Sequence, residues 1–212
     1  MERVCVVGAG VMGAGIAAQI ANAGVPVLLL DVKAGLAEAA VARMLKTDPA
    51  PFMSARAAKL VETGDTADDL ARVEQCDWIV EAIVERLDVK QALYRQLDAV
   101  RRPGTPVSSN TSTIPLAALV DGMSPAFATD FLITHFFNPP RYMRLLEVVT
   151  GPATDAAMVA SNPSSRSRCA ASTEAASSPS RNTGVATNTP SGDRRTSKRG
   201  SAAAAAVIGS SK

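Results

Sequence analysis

Cysteine is scarce in this chain of 212 residues, and its scarcity excludes several kinds of site. The three cysteines lie far apart and form no C-x-x-C pair. That pattern argues against a disulfide framework and against a zinc site, and it fits a reducing compartment. We therefore expect no metal centre and a cytoplasmic location.

Long apolar runs and a recognisable leader are missing as well. No apolar run reaches the ~18 residues that span a bilayer, so no membrane association is expected. Met1, Glu2 and Arg3 lead directly into a short strand-like segment, which argues against a signal peptide. The formal net charge of +2 by itself argues neither for nor against nucleic-acid binding.

The composition of the chain changes abruptly near residue 160. Residues 1–160 carry a net charge of −4, residues 161–212 carry +6, and every aromatic residue precedes residue 161. The later segment is rich in Ser and Ala and cannot bury enough apolar surface to offset the entropy of ordering it. We predict a domain over 1–160 and a disordered tail over 161–212, with at most a transient helix at 202–206. The positive charges are scattered, which favours a solvated segment over a nucleic-acid arm.

Strand-like and helix-like segments alternate along the first 150 residues. Short apolar runs bounded by turn residues predict buried strands, and longer periodic segments predict helices. This alternation indicates an α/β fold with a doubly wound, mostly parallel sheet. The predicted strands are 4–7, 27–30, 59–62, 78–82, 106–109, 132–136 and 145–149, and the predicted helices are 11–23, 35–45, a turn from 66, 89–100 and 114–120.

A glycine-rich motif follows the first predicted strand and opens the first predicted helix. The G-x-G-x-x-G pattern is weak alone, but here it has the strand and the helix that the motif requires. The glycines permit a tight turn, close approach to a pyrophosphate and close helix packing, while the helix N–H groups bind the phosphates. The predicted cofactor contacts in the motif are Gly8, Gly10, Val11, Met12 and Gly13.

The second predicted strand is followed by Asp31, which lies 18 residues beyond Gly13. A carboxylate there can accept both hydroxyls of an adenosine ribose and would repel a 2′-phosphate, so NAD is favoured over NADP. The alternative is a glycine-rich turn in an unrelated α/β domain. Because strand, motif, helix, strand and Asp31 stand in register, we favour a Rossmann-type NAD-binding domain.

The single histidine, His135, ends a predicted strand, where parallel sheets place functional residues. Histidine exchanges protons near neutral pH and can take one from an alcohol. Glu147 lies within the next apolar run, and burying it without a partner would be costly. A His135–Glu147 pair would meet that need. The alternatives left open are a core histidine bonded to backbone and an edge-strand surface charge.

Four segments together resemble the 3-hydroxyacyl-CoA dehydrogenases. They are the glycine motif extended over 6–17, the segment 80–85 with Lys90, Ser109-Asn110-Thr111-Ser112, and 135–139 leading to Glu147. Their order and spacing match over about residues 1–150. The resemblance implies NAD-dependent oxidation of (3S)-3-hydroxyacyl-CoA to 3-oxoacyl-CoA, as in fatty-acid β-oxidation. The variant at 139–143 is most similar to the branch fused to an enoyl-CoA hydratase-like region.

The resemblance also implies roles for individual residues. His135 would be the general base, Glu147 its orienting partner, and Ser112 a hydrogen-bonding group for the substrate oxygen. Asn138 would contact the nicotinamide end of the cofactor, and Glu85 and Lys90 would line its ribose and the edge of the site. Ser112 could instead be a helix cap, and the Glu85–Lys90 pair a surface ion pair. Coenzyme A contacts stay open: Arg43 and Lys46 are possible, but basic helix residues are usually solvated.

The resemblance stops after Val159. The family continues into an all-helical domain that closes over the acyl-CoA and makes the dimer, and residues 161–212 do not resemble it. Our hypothesis is a frameshifted or truncated gene product. Three functions stay open: an acyl-CoA dehydrogenase of this type, a catalytically impaired NAD-binding fragment, or an NAD-dependent dehydrogenase of a small hydroxy acid. The expected partner is an acyl-CoA substrate, with no nucleic acid and no membrane.

Overall fold

The computed structural model of the chain describes residues 1–157 and the backbone of residues 204–207. The rest of the predicted tail lies outside the described residues, so its disorder stays a prediction. The strands are β1 (Val4–Val7), β2 (Val27–Asp31), β3 (Val61–Asp65), β4 (Trp78–Glu81), β5 (Val107–Ser109), β6 (Phe131–Phe136), β7 (Leu145–Thr150) and β8 (Ala204–Val207). The helices are α1 (Val11–Asn22), α2 (Leu36–Met44), α3 (Ala55–Ala58), α4 (Leu87–Val100), α5 (Leu116–Leu119) and α6 (Pro125–Thr129), with a 3₁₀ helix at Leu70–Gln75.

The strands form one sheet in the order β3-β2-β1-β4-β5-β6-β7-β8. Strands β1 to β6 pair in parallel, whereas β7 is antiparallel to β6 and β8 is antiparallel to β7. The order reverses between β1 and β4, and ligands bind at such a switch point, outside the carboxyl ends of the strands. The predicted doubly wound, mostly parallel α/β fold is therefore confirmed.

The central strands are apolar along their whole length because helices cover both faces of the sheet. Successive residues of β1 point to opposite faces, so Val4 and Val6 join one core, and Cys5 and Val7 join the other. The first core packs α1 and α2 against the sheet, and the second packs α4, α5 and α6. This arrangement buries the body of the sheet and leaves its carboxyl edge for function.

Two predicted elements between β2 and β4 differ from the structure. The sequence predicts the third strand at 59–62, but the strand covers Val61–Asp65, and the predicted helical turn from Thr66 is absent there. The Asp65 carboxylate accepts hydrogen bonds from the backbone N–H groups of Ala67 and Asp68 at 2.9 Å each. That side chain holds a turn in place of the helix, and the 3₁₀ helix starts only at Leu70.

Two short helices are not predicted by the sequence pattern. Helix α3 begins after Ser54, whose hydroxyl accepts the N–H of Ala57, and α6 begins after Ser124, whose hydroxyl accepts the N–H of Phe127. Helices of four or five residues are too short to show an apolar period, so side-chain caps are the signal that could have found them.

Strand β8 replaces the transient helix predicted over 202–206. A run of five alanines is too short to hold a helix in isolation. The outer edge of β7 presents backbone N–H and C=O groups that an extended segment can pair with. Residues Ala204–Val207 pair with Leu145–Val148 of β7 in antiparallel register.

Gly13 fixes the distance between α1 and the glycine loop. A Cβ atom at this position would lie 1.8 Å from the carbonyl oxygen of Gly8. Neither backbone segment can retreat, because Gly8 is itself pressed against Ala82 at the end of β4. We expect Gly13→Ala to lower the free energy of unfolding by about 3 kcal/mol and Tm by roughly 6–12 °C.

Gly10→Ala is the matched control for this measurement by thermal denaturation. Gly10 has a φ of −64°, and no atom lies within 4 Å of the position that a Cβ would take, so the Tm of this variant should stay within about 2 °C of the parent. Equal losses in both variants would contradict the packing argument.

Candidate cofactor and active site

The glycine loop is held between the ends of two strands. Gly8 has a φ of +105°, which favours glycine, and its N–H donates to the carbonyl oxygen of Leu30 at 2.7 Å. A Cβ on Gly8 would lie 2.5 Å from the carbonyl oxygen of Ala82. The loop therefore sits directly on the switch point between β1 and β4.

Helix α1 begins without a side-chain cap, beside open space at Gly10. Gly10 is its N-cap, no side chain caps it, and its first turn holds no acidic residue. The N–H groups at Val11, Met12 and Gly13 thus resemble an anion site, and the helix dipole adds to their attraction. Open space beside Gly10 is what a pyrophosphate would need, so these residues fit the phosphates of NAD.

Asp31 connects the end of β2 to the glycine loop. One carboxylate oxygen accepts the N–H of Ala9 at 2.6 Å and the other accepts the N–H of Val32 at 2.7 Å. Each carboxylate oxygen can accept a further hydrogen bond, so Asp31 can hold the loop and still take ribose hydroxyls.

A cleft of about 470 Å³ lies beside Asp31, at the carboxyl edge of β1, β2 and β4. Its wall is mostly apolar, which suits a flat adenine ring with a few polar groups at its rim. The lining residues are Val7, Gly8, Gly10, Asp31, Val32, Thr66, Ala82, Ile83, Val84, Val89, Ala92, Leu93 and Gln96.

Glu85 and Lys90 follow β4 and differ in exposure. The Lys90 side chain is 1% exposed, and its Nζ lies 3.3 Å from a carboxylate oxygen of Glu85, whose side chain is 38% exposed. Partial burial tends to raise the pKa of Glu85, but hydrogen bonds from Thr111 and Thr113 and the charge of Lys90 outweigh it and lower that pKa. The pair is thus a half-buried anion beside a buried cation, which is unlike a surface ion pair.

Ser112 is exposed between two threonines that both bind Glu85. The hydroxyls of Thr111 and Thr113 donate to the same Glu85 oxygen, the second at 3.0 Å. The backbone N–H of Ile114 donates to the Thr111 hydroxyl at 3.1 Å, so Thr111 has the local capping role considered for Ser112. The Ser112 side chain is left facing outward from a loop fixed on both sides.

His135 and Glu147 stand directly opposite each other on the antiparallel strands β6 and β7. The ring Nδ1 of His135 lies 2.9 Å from a carboxylate oxygen of Glu147. The two side chains are 22% and 38% exposed, so both reach the surface at the edge of the site. The pairing fixes the imidazole and leaves Nε2 as the nitrogen that can exchange a proton.

Asn138 lies in the loop after β6, and the following prolines press this loop onto α1. A Cβ on Gly15 would lie 3.0 Å from Pro140, which shows how closely loop and helix approach. A second cleft of about 340 Å³ opens here. Its lining residues include Val11, Ala14, Gly15, Arg43, Met44, Thr47, Asn138, Pro139, Pro140, Arg141 and Tyr142.

Sequence reasoning missed Glu81 as a candidate, although the structure places it at the centre of the cofactor edge. Its side chain is 0% exposed at the end of β4 and pairs with Lys90 at 2.6 Å. The signal was available: Glu81 is an acid within an apolar strand, the same pattern that singled out Glu147.

Within residues 1–157, no cluster of three or more His, Cys, Asp or Glu side chains could hold a metal ion. Cys5 and Cys76 are buried and free, whereas Cys169 lies outside the described residues. No helix in the described part of the chain is long and apolar enough to cross a bilayer.

Comparison with known proteins assigns the chain to a family. The family model for the NAD-binding domain of 3-hydroxyacyl-CoA dehydrogenase matches residues 3–165. The chain belongs to the 3-hydroxyacyl-CoA dehydrogenase family. The predicted family and the predicted cofactor, NAD, are thereby confirmed.

Members of this family resemble the chain in sequence and in fold. A probable 3-hydroxyacyl-CoA dehydrogenase of Deinococcus radiodurans is 46% identical over 166 residues, covering 75% of this chain and 48% of the relative. The structure of 3-hydroxybutyryl-CoA dehydrogenase from Escherichia coli has a TM-score of 0.65 at 35% identity, over 75% of this chain and 34% of that chain. FadB2 of M. tuberculosis has a TM-score of 0.67 at 32% identity, over 76% of this chain and 57% of that chain. The matched part of this chain thus spans about half of the length of the first relative and about a third of the length of the second.

The open space beside Gly10 predicts how a methyl group there would act on cofactor binding. Gly10→Ala should raise the Kd for NADH at least about tenfold, because the methyl would enter the space that the pyrophosphate needs. The measurement is NADH fluorescence on the folded variant. Gly104→Ala, in the turn before β5 at the opposite edge of the sheet, should leave this Kd unchanged. An unchanged Kd in Gly10→Ala would contradict the assignment of the phosphate site.

Proposed function

We propose that this chain carries the cofactor half of an NAD-dependent dehydrogenase that oxidises (3S)-3-hydroxyacyl-CoA to 3-oxoacyl-CoA, as in fatty-acid β-oxidation. One observation carries the proposal: the His135–Glu147 pair stands at the same carboxyl edge of the sheet as the cleft beside Asp31 and the glycine loop. The parallel strands β1, β4 and β6 all end at this edge, so a base and a bound nicotinamide can reach one substrate.

The proposed chemistry divides between the cofactor and the protein. When bound, NAD⁺ would supply the acceptor for the hydride of substrate C3. His135 takes the proton of the 3-hydroxyl on Nε2, while its Nδ1 proton stays directed at Glu147. The Glu147 carboxylate holds the ring in one tautomer and stabilises the imidazolium that forms.

The remaining site residues have proposed roles around this pair. Ser112 donates a hydrogen bond to the substrate oxygen from its fixed, exposed loop. Asn138 contacts the nicotinamide end of NAD, and Glu85 with Lys90 borders the neighbouring ribose. Asp31 binds the adenosine ribose. The proposed pyrophosphate contacts are Gly8, Gly10, Val11, Met12 and Gly13.

The second cleft supports an acyl-CoA as the substrate class. It is mostly apolar, which suits an acyl chain, and Asn138 is among its lining residues. Arg43 also lines it and could meet a phosphate of coenzyme A, whereas Lys46 does not line this cleft. Dimerisation through a further domain, a cytoplasmic location and the absence of nucleic-acid partners stay predictions.

The test uses NADH binding by fluorescence followed by oxidation of NADH with acetoacetyl-CoA. Binding with turnover would support a working dehydrogenase. Binding without turnover would favour the alternative, an NAD-binding chain whose catalysis needs more than residues 1–157 provide, because hydride transfer requires a closed, water-poor site. Turnover of small hydroxy acids in preference to acyl-CoA would overturn the proposed substrate class.

Variants of the pair should separate binding from chemistry. His135→Ala should lower kcat about 100-fold or more, and Glu147→Gln about tenfold or more, because proton transfer loses its base or the orientation of that base. The Kd for NADH should change less than about twofold in both.

Glu62→Gln is the matched control for Glu147→Gln. Glu62 is also a strand glutamate with a cationic partner, Arg3, but it lies on β3 at the far side of the sheet. It should leave both kcat and Kd unchanged. Full turnover in His135→Ala would exclude the histidine as the base.

A further inference from the structure

Glu81 is a buried carboxylate that the proposed chemistry does not use. One of its oxygens accepts from Lys90 Nζ at 2.6 Å and from the N–H of Ile83 at 2.8 Å. The other accepts from the Tyr94 hydroxyl at 2.6 Å and from the Ser109 hydroxyl at 2.7 Å. Lys90 and Tyr94 lie on α4, Ser109 ends β5, and Ile83 follows β4, so one side chain joins these three elements.

The arrangement holds the Glu81 carboxylate in one orientation. Four donors fill the sites that a carboxylate offers, and Lys90 supplies the opposite charge. Burial, together with the adjacent Glu81 carboxylate, raises the pKa of Tyr94 well above its ordinary value, so its hydroxyl stays a donor. Buried ion pairs often add little stability compared with apolar side chains of similar volume. A role in fixing geometry is therefore the better account of this one.

One branch of the network leads from Glu81 to the cleft beside Asp31. The Glu81 carboxylate accepts a hydrogen bond from the N–H of Ile83, and this bond holds the turn immediately after β4. Ala82, inside this turn, is the residue against which Gly8 packs, and Ile83 lines the cleft itself. The position of the glycine loop and the cleft wall thus depend on the same carboxylate.

The other branch leads to the loop that bears Ser112. Lys90 bridges Glu81 and Glu85, at 2.6 and 3.3 Å. Glu85 in turn binds the hydroxyls of Thr111 and Thr113 on either side of Ser112. A change at Glu81 would remove one partner of Lys90. Lys90 could then shift away from Glu85, whose carboxylate fixes this loop.

We propose that Glu81 is a positioning residue for the NAD site, fixing the Ala82–Ile83 turn through one bond and the Glu85–Thr111–Thr113 loop through Lys90. Glu81 acts through these groups and does not touch the cofactor, since it is fully buried. The inference rests on NAD binding and does not depend on turnover of an acyl-CoA.

The test compares two buried carboxylates at opposite edges of the sheet. Asp130 is 5% exposed, pairs with Arg101 at 2.5 Å and precedes β6, far from the cofactor edge. Glu81→Gln and Asp130→Asn each remove the more buried of the two carboxylates that pair with a buried cation, Lys90 or Arg101, and both should lower Tm by several degrees. Only Glu81→Gln should raise the Kd for NADH, by about tenfold, because only it disturbs the site. Both Kd values are measured by fluorescence well below each variant's Tm.

Three results would overturn the proposal. An unchanged Kd in Glu81→Gln with a lowered Tm would leave Glu81 a purely structural residue. Equal increases in Kd for both variants would indicate general loosening of the domain. If Glu81→Gln does not fold, Glu81→Asp keeps the charge but shortens the reach by one methylene, and an unchanged Kd in that variant would also overturn the proposal. A severalfold increase in Glu81→Asp is expected.

These results separate the inference from the proposed function. Failure of the parent chain to turn over acetoacetyl-CoA would count against the proposed function but leave every NADH measurement above intact. Where turnover is found, Glu81→Gln should also lower kcat severalfold through the Ser112 loop, whereas Asp130→Asn should not.

Discussion

The cofactor edge depends on one close backbone contact, in which the glycine loop is pressed between α1 and the end of β4. Gly8 meets Ala82 on one side and Gly13 on the other, at distances that leave no room for a Cβ atom. Helix α1 is aimed by this contact, so its uncapped N-terminus reaches the switch point of the sheet. A phosphate site made of backbone N–H groups is only as well placed as the helix that bears them.

Carboxylates fix the backbone around the glycine loop at the carboxyl edge of the sheet. Hydrophobic packing is non-directional and tolerates small shifts, whereas a carboxylate with four donors accepts few arrangements. Glu81 accepts four hydrogen bonds and Asp31 accepts two, on neighbouring sides of the loop. The first fixes the turn that faces Gly8, and the second binds the N–H of Ala9. The backbone of the loop is thus bounded by two carboxylates, one buried and one facing the cleft.

Long apolar elements can be predicted from the sequence because the apolar residues that form their buried faces are also the pattern that reveals them. Strands β1, β2, β4 and β6 and helices α1 and α4 lie within a few residues of their predicted bounds. Features that depend on a single polar side chain give no apolar period and are not predicted, including the Asp65 turn and the serine-capped helices. The site divides in the same way. The glycine motif and Asp31 are recognised by their fixed spacing, whereas the Glu81 network includes Ser109, which lies 28 positions from Glu81 in sequence. No local pattern shows which distant hydroxyl will meet a buried acid.

The antiparallel strand β7 explains why His135 and Glu147 can form a pair only 12 residues apart in sequence. A parallel neighbour would need a crossover of a dozen or more residues before it returned to the same edge. Reversal of the chain after β6 instead brings Glu147 directly opposite His135. The register is set by the antiparallel pairs that run from Leu132–Thr150 to Phe136–Leu146. The pair is therefore complete within one hairpin. Both of its residues lie within residues 131–150, whereas exclusion of water from the reacting atoms needs a cover over this exposed edge.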